Sequence, residues 1–373
     1  MSNSKRISSI DWMRGFVMIL MLVDHVSMVY NKDHLATDSA ISYIPGSDLP
    51  GLEFFTRWLA HLCAPVFVFL AGTAMALSIE RKVAKGIELS QIDKDILIRG
   101  AFIAILDPTL ISLFAGKFLF QVLYAIGLAM MCMAFLRRLS SKLLLILALS
   151  WFAFGELLNG VYFPPGEGAQ SIFNAFLFSS YTSTNLVIKY PLLPWLAIMI
   201  LGWVFGRYLL DHKEGKNSVG PVKLLLSLGV VSLLAFGALR YLNGYGNMFL
   251  LREDNSWQHW LHVSKYPPSA TYTLLELGLM MVLMALMICV ERLIGTRQNG
   301  LLLVLGQTAM FFYLVHRLVL VGVANLFDLY QVSGLYTTYI ISAVFLAILY
   351  PLCIWYRSYK AKNVKKSVYL KYL

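Results

Sequence analysis

The sequence predicts an all-α polytopic membrane protein of about ten transmembrane helices, with both termini cytoplasmic. Three observations carry this. The chain of 373 residues is 58% hydrophobic and only 14% charged, with a mean hydropathy of +0.68, whereas soluble proteins carry about 25% charged residues. Several windows of about 18 or more residues are almost purely apolar, long enough to cross the hydrocarbon core as helices. Basic residues also concentrate in alternate loops. No segment reads as a separate soluble unit, so 1–373 is taken as a single domain.

In order, the predicted spans are 10–30, 53–79, 96–115, 118–136, 142–160, 191–211, 222–243, 269–290, 300–324 and 335–357. The first follows a short basic start, lacks a small-residue cleavage site and is interrupted by Arg14 and His25, so it reads as a retained helix rather than a signal peptide. The second holds Arg57 and His61, then Pro65, which frees a backbone carbonyl, and Gly72, which permits close helix approach. The third contains Asp107-Pro108. Lys189-Tyr190-Pro191 and Lys265-Tyr266-Pro267-Pro268 open the sixth and eighth from outside, where Tyr-Pro also suits plain interface anchoring. The ninth carries Tyr313, His316 and Arg317; the remaining spans rest on apolar length.

Counting Lys and Arg by side gives twenty-one in the N-terminus, the C-tail and the loops 80–95, 137–142, 207–223 and 291–299, against five in the alternate loops. This is the positive-inside asymmetry. It accounts for the net charge of +11 and the pI of 9.4 without a nucleic-acid surface. The four cysteines are scattered within spans, and no disulfide, zinc, nucleotide-loop or low-complexity pattern appears, so no metal site is expected. The absence of a convincing internal repeat weighs against inverted-repeat transporters. The longer outer loops, 31–52, 161–190 and 244–268, hold aromatics, Gly, Pro and acids. Loops of that length are either functional or an inert cap.

Ionisable residues at membrane depth point to function. A charge at the bilayer centre costs roughly 2.5–3.5 kcal/mol even on lenient insertion scales, so such groups face a bundle interior or a wet cavity. Arg14 and His25 are eleven residues apart, almost three turns and roughly 16 Å on one helical face. Arg14 lies near the inner surface, either holding a phosphate-bearing group or snorkelling to headgroups; His25, preceded by Asp24, lies in the outer half. Arg57 and His61, one turn apart, share a face at that depth; an interfacial arginine plus a packing histidine is the competing reading. Asp107 needs a partner, which His25, His61 or Arg57 could supply, and an Asp–His pair would fix a tautomer as in acyl-transfer sites. His316 adds a third histidine, with Tyr313 one turn earlier.

These segments, in this order, resemble the heparan-α-glucosaminide N-acetyltransferase catalytic-domain family of bacterial membrane proteins, distantly related to the wider multi-span acyltransferases with an Arg, ten residues, then His. The matching stretches are Asp11–Gly15, Asp24-His25, Thr56–Gly72, Arg99–Leu110, Gln121–Met130, Tyr190–Gly206, Lys265–Leu279 and Leu305–His316. The resemblance implies a membrane enzyme of the cytoplasmic (inner) membrane, moving an acetyl group from cytoplasmic acetyl-CoA to an extracytoplasmic sugar amine or hydroxyl. It carries a functional histidine onto His25 and an acyl-CoA role onto Arg14, with His61, Arg57 and Asp107 as pocket residues. Where the family suggests Gly-Arg-x-Pro, this chain has Gly306-Gln307-Thr308-Ala309. The animal enzyme's large lumenal region is absent, so its glycosaminoglycan substrate does not transfer.

The candidate site is therefore His25, Asp107 and His61 as catalytic residues, with Arg14, Asp24, Arg57, Lys189, Lys265, Tyr313 and His316 binding substrate or donor. Expected partners are acyl-CoA, an extracytoplasmic sugar or glycan, membrane lipids and optionally a second copy in a homodimer, with no nucleic acid. The alternative from another class is a proton- or ion-coupled transporter using His25, His61, His316 and Asp107 as a relay.

Overall fold

The computed structural model describes residues 7–162 and 172–364. The aromatic and proline-rich part of the second long outer loop, 163–171, lies outside the described residues, as do the terminal basic residues. The first crossing is α1 (Ser8–Tyr30). The second enters through α2 (Gly51–Leu59), passes a 3₁₀ turn at Ala60–Leu62 and continues as α3 (Cys63–Ala84). α4 (Leu89–Leu106) runs through a π-helical turn at Asp107–Ile111 into α5 (Ser112–Ala115); β1 (Phe118–Phe120) then leads into α6 (Val122–Leu136). α7 (Ser141–Tyr162), α8 (Ile172–Leu177), β2 (Tyr181–Thr182), β3 (Leu186–Ile188), α9 (Leu192–Lys213) and α10 (Pro221–Leu242) follow. The rest comprises α11 (Trp257–Leu261), α12 (Ala270–Ile294), α13 (Leu301–Gln307), α14 (Ala309–Phe327) and α15 (Leu335–Asn363).

Eight crossings among the described residues are long and apolar enough to span a membrane, with α2 and α3 counted together. This is an all-α, multi-pass membrane protein. The predicted third and fourth spans take a different form from the others. α4 starts in a charged stretch with Asp93, Lys94, Asp95 and Arg99, and the π turn falls where Pro108 lacks an amide hydrogen for the helical ladder. α6 is shorter, because residues 118–120 form a strand instead of its first turn. The predicted ninth span is split at Thr308 into α13 and α14.

α1 sits centrally, packed against α3, α12, α13, α14 and α15. Without a hydrophobic drive between helices in lipid, packing depends on close backbone approach at small residues. Two contacts require glycine. A Cβ on Gly72 of α3 would lie 2.2 Å from the Met199 carbonyl oxygen of α9, and one on Gly202 would lie 1.9 Å from that of Phe69. α13 closes on α1 in the same way, where Gly15 meets Leu302 and Gly306 meets Asp11.

The outer face is built from loops and a small sheet of order β1-β3-β2, with β1 parallel and β2 antiparallel to β3. Arg240, fully buried at the end of α10, organises the loop beyond it. Its guanidinium donates to the carbonyls of Trp260, Leu250, His259 and His262 and to the side-chain oxygen of Asn247. The loop so held delivers Lys265, whose backbone N–H donates to the Asp38 carbonyl (2.8 Å), stitching the first and third outer loops together.

Candidate active site

Two cavities lie one above the other along the same four helices. The outer one, of about 290 Å³, is lined by Met21, Asp24 and His25 of α1, Arg57 of α2, Ala64 and Phe67 of α3, Val122 of α6 and Tyr313 of α14, with His34, Asp38, Lys189, Tyr190, Lys265 and Tyr266 from the outer segments. The inner one, of about 560 Å³, is lined by Arg14 of α1, Phe67 and Ala71 of α3, Ile126 of α6 and Met310 of α14, with Lys82, Asp95, Arg99, Arg357 and Lys360 around it. Phe67 belongs to both. Both volumes approach or fall within the range of small-ligand sites, about 300–1,000 Å³.

His25 is the best-defined chemical group in the outer cavity. Its Nδ1 lies 2.7 Å from Nε2 of His316, and the two rings are stacked at 9° between planes. His316 is fully buried, and its Nδ1 lies 2.7 Å from the carbonyl oxygen of Phe312, one turn back on α14. A carbonyl only accepts, so His316 carries its proton on Nδ1 and, when neutral, presents a lone pair at Nε2. His25 must then donate from Nδ1, which leaves the Nε2 lone pair of neutral His25 as a base. That atom makes no hydrogen bond among the described residues. The two-histidine chain fixes a tautomer by the same logic that a carboxylate uses in hydrolase triads.

Arg57 is committed to two carboxylates. Nη1 donates to both oxygens of Asp24 (2.7 and 2.9 Å), Nε donates to Asp38 (2.9 Å), and Nη2 also donates to Asp38. The other Asp38 oxygen meets His61 Nε2 at 3.0 Å. Burial opposes the charged form of Asp38, but Arg57 and His61 overcome it and hold the carboxyl well below the usual range. His34 also lines this chamber, its Nδ1 2.9 Å from the Ser27 hydroxyl. Burial and then Arg57 push its pKa down, against the pull of Asp24 and Asp38. Tyr190 and Tyr266 meet at their hydroxyls (3.4 Å), and Lys189 and Lys265 each place an ammonium over the Tyr266 ring, at 5.0 and 5.4 Å from its centroid. Burial works to raise the Tyr266 pKa, but Lys265 and Arg57 bring it below its ordinary value.

The structure gathers His25, Asp24, Arg57, Lys189, Lys265 and Tyr313 around one chamber. His316 acts on it through His25. Arg14 lies in the inner cavity, its guanidinium donating to the Leu70 carbonyl (2.9 Å) and 3.4 Å from Asp11. Two expectations change. His61 is buried behind Asp38 rather than lining the chamber. Asp107 does not orient His25: its Oδ2 accepts the backbone N–H groups of Gln121 and Tyr124 (2.9 and 2.8 Å), capping the start of α6. First-turn amides have no intrahelical acceptor, so they take up Oδ2, while Oδ1 of Asp107 stays buried without a hydrogen-bond partner among the described residues. Asp38 and His34 were missed. Their sequence signal was only their place in a long outer loop, where no periodicity marks which side chains turn inward.

Among the described residues no group of three or more His, Cys, Asp and Glu side chains is placed to hold a metal. The family profile described as "Heparan-alpha-glucosaminide N-acetyltransferase, catalytic" matches residues 6–238, well over half of the chain. The match runs from α1 into α10 and stops short of α11 to α15, which include the helices that carry His316, Arg357 and Lys360. Comparison with curated proteins gives no match. The chain belongs to the heparan-α-glucosaminide N-acetyltransferase catalytic family, a family of membrane acetyltransferases.

Proposed function

We propose that the protein transfers an acetyl group from cytoplasmic acetyl-CoA to the amine or hydroxyl of a sugar or glycan on the far side of the cytoplasmic membrane. The observation that carries this reading is the pair of stacked cavities meeting at Phe67, with the His25 base in the outer one and a cluster of cations in the inner one. Five lining cations, Arg14, Lys82, Arg99, Arg357 and Lys360, surround it with one lining carboxylate, Asp95, which pairs with Lys82 at 2.9 Å, while Asp11 behind the lining lies 3.4 Å from Arg14. CoA carries roughly four negative charges on its phosphates, so this cavity suits its nucleotide end. The pantetheine arm would then follow α1 past Phe67 and present the thioester to His25, about 16 Å away along the helix axis.

Chemically, the acceptor nitrogen or oxygen attacks the thioester carbonyl while His25 Nε2 takes its proton. The C–S bond breaks, and the proton passes from His25 to the departing thiolate, so CoA leaves as the thiol. An acetyl-histidine intermediate would use the same nitrogen as nucleophile. Arg57, saturated by Asp24 and Asp38, fixes the wall of the chamber and the first outer loop. The proof is a transfer assay. His25→Ala should reduce acetyl-CoA-dependent labelling of an amino-sugar acceptor to background while CoA still raises the Tm of the variant. Retained labelling would remove His25 from the mechanism, and solute accumulation in vesicles without acyl-CoA would favour a transporter instead.

A further inference from the structure

The charge in the outer chamber is not balanced. Asp24 and Asp38 are taken by Arg57, and Asp38 also by His61. One guanidinium offsets only one of those two carboxylates, so with Lys189 and Lys265 the lining holds three cations against two carboxylates, one positive charge in excess. Neither lysine has a carboxylate within ion-pair distance among the described residues. Lys265 is only 3% exposed, yet it lines the cavity. Glu276, buried on α12, and Asp24 both feel the Lys265 charge, but neither lies within ion-pair distance of it and Glu276 does not line the cavity. A buried ammonium without a close partner is costly, and a bound anion would relieve that cost. Both lysines converge on one aromatic ring, that of Tyr266. The ring attracts cations through its face but cannot neutralise them.

We propose that the acceptor carries an anionic substituent, a carboxylate or a phosphate, that binds between Lys189 and Lys265 beside Tyr266 and so presents the acceptor's amine or hydroxyl to His25. This rests on the acetyl-transfer reading above and narrows its substrate class to acidic sugars. The two Lys-Tyr-Pro segments are the device. Pro191 caps the start of α9, and Pro267-Pro268 lead to Ser269, the N-cap of α12; the two tyrosines meet at their hydroxyls, and each lysine precedes its tyrosine at the chamber.

The test uses the full chain in lipid nanodiscs and three probes: D-glucosamine, D-glucosamine 6-phosphate and muramic acid. Binding is read by calorimetry without acyl donor, and KM is read with acetyl-CoA. At least one of the two anionic probes should bind about tenfold tighter than glucosamine, as expected for one added charge contact. Preference for the phosphate or for the carboxylate then names the group. Lys265→Gln and Lys189→Gln should each shrink the ratio between anionic and neutral probes, acting on KM more than kcat, and Lys265→Arg should restore it. A CoA-induced rise in Tm shows that each variant is folded. Equal binding of charged and neutral probes, or a preference that survives the double Lys→Gln variant, overturns the proposal. Anion binding without any acetyl transfer would overturn the acetyl-transfer reading alone.

Discussion

At the scale of single residues, the account turns on hydrogen-bond direction. The Phe312 carbonyl sets the His316 tautomer, and His316 sets that of His25. Replacing His316 with Leu removes the acceptor for the His25 Nδ1 proton, so kcat should fall on the order of 10²-fold with acceptor KM little changed. His316→Gln, whose amide oxygen accepts the same proton, should recover part of the rate. Equal losses in both variants would make His316 a packing residue. The first outer loop responds to pH. The folded-state pKa of His34 is lowered, so the unfolded chain binds more protons and stability rises with pH through that window. His34 therefore contributes stability above about pH 6.5 that is lost on acidification, while Asp38 contributes stability lost only below the ordinary carboxylate range. A melting series from pH 8 to 5 should show Tm falling, and His34→Asn should flatten that fall; an unaltered slope would remove His34 as its source.

At the scale of elements, glycines set the distances between helices. With Phe69 oxygen 1.9 Å from a notional Cβ on Gly202, Gly202→Leu must push α9 off α3. Overpacking of this kind costs about 1–3 kcal/mol, and Tm in detergent should drop clearly, with the inner cavity's response to CoA reduced because α3 lines it. A variant as stable as the parent would show that the helices are not held this closely. Elements were legible where apolar length and period spoke plainly: α1, α7, α9, α10, α12 and α15, and α2 with α3 taken together, lie close to their predicted spans. α4 and α6 were not, because charges at one end and Pro108 at the other disguise a helix–π–strand–helix passage as two spans. The same passage explains Asp107. Its depth and acidity read as catalytic, but the strand brings the start of α6 onto its carboxylate.

At the scale of the whole molecule, matching depth was the legible part. The spacing of Arg14 and His25 put the first near the inner surface and the second in the outer half of one helical face; the structure has Arg14 at the inner cavity and His25 at the outer one, and the histidines of α1 and α14 meet. What sequence could not show was pairing across distance. Asp38 reaches Arg57 and His61 from a loop, and Arg357 and Lys360 reach the inner cavity from the last helix. Arg357 also donates to the side chain of Gln307 (3.2 Å), which stands where the resemblance expects an arginine, so a guanidinium still serves that cavity. In this reading the two cavities act as one route from the inner face to the outer. It is tested by sealed vesicles of known orientation, with labelled acetyl-CoA confined to the cytoplasmic side and a membrane-impermeant amino sugar on the other. Label should appear on the amino sugar with the parent protein and not with His25→Ala. Transfer only when donor and acceptor share one side would contradict it.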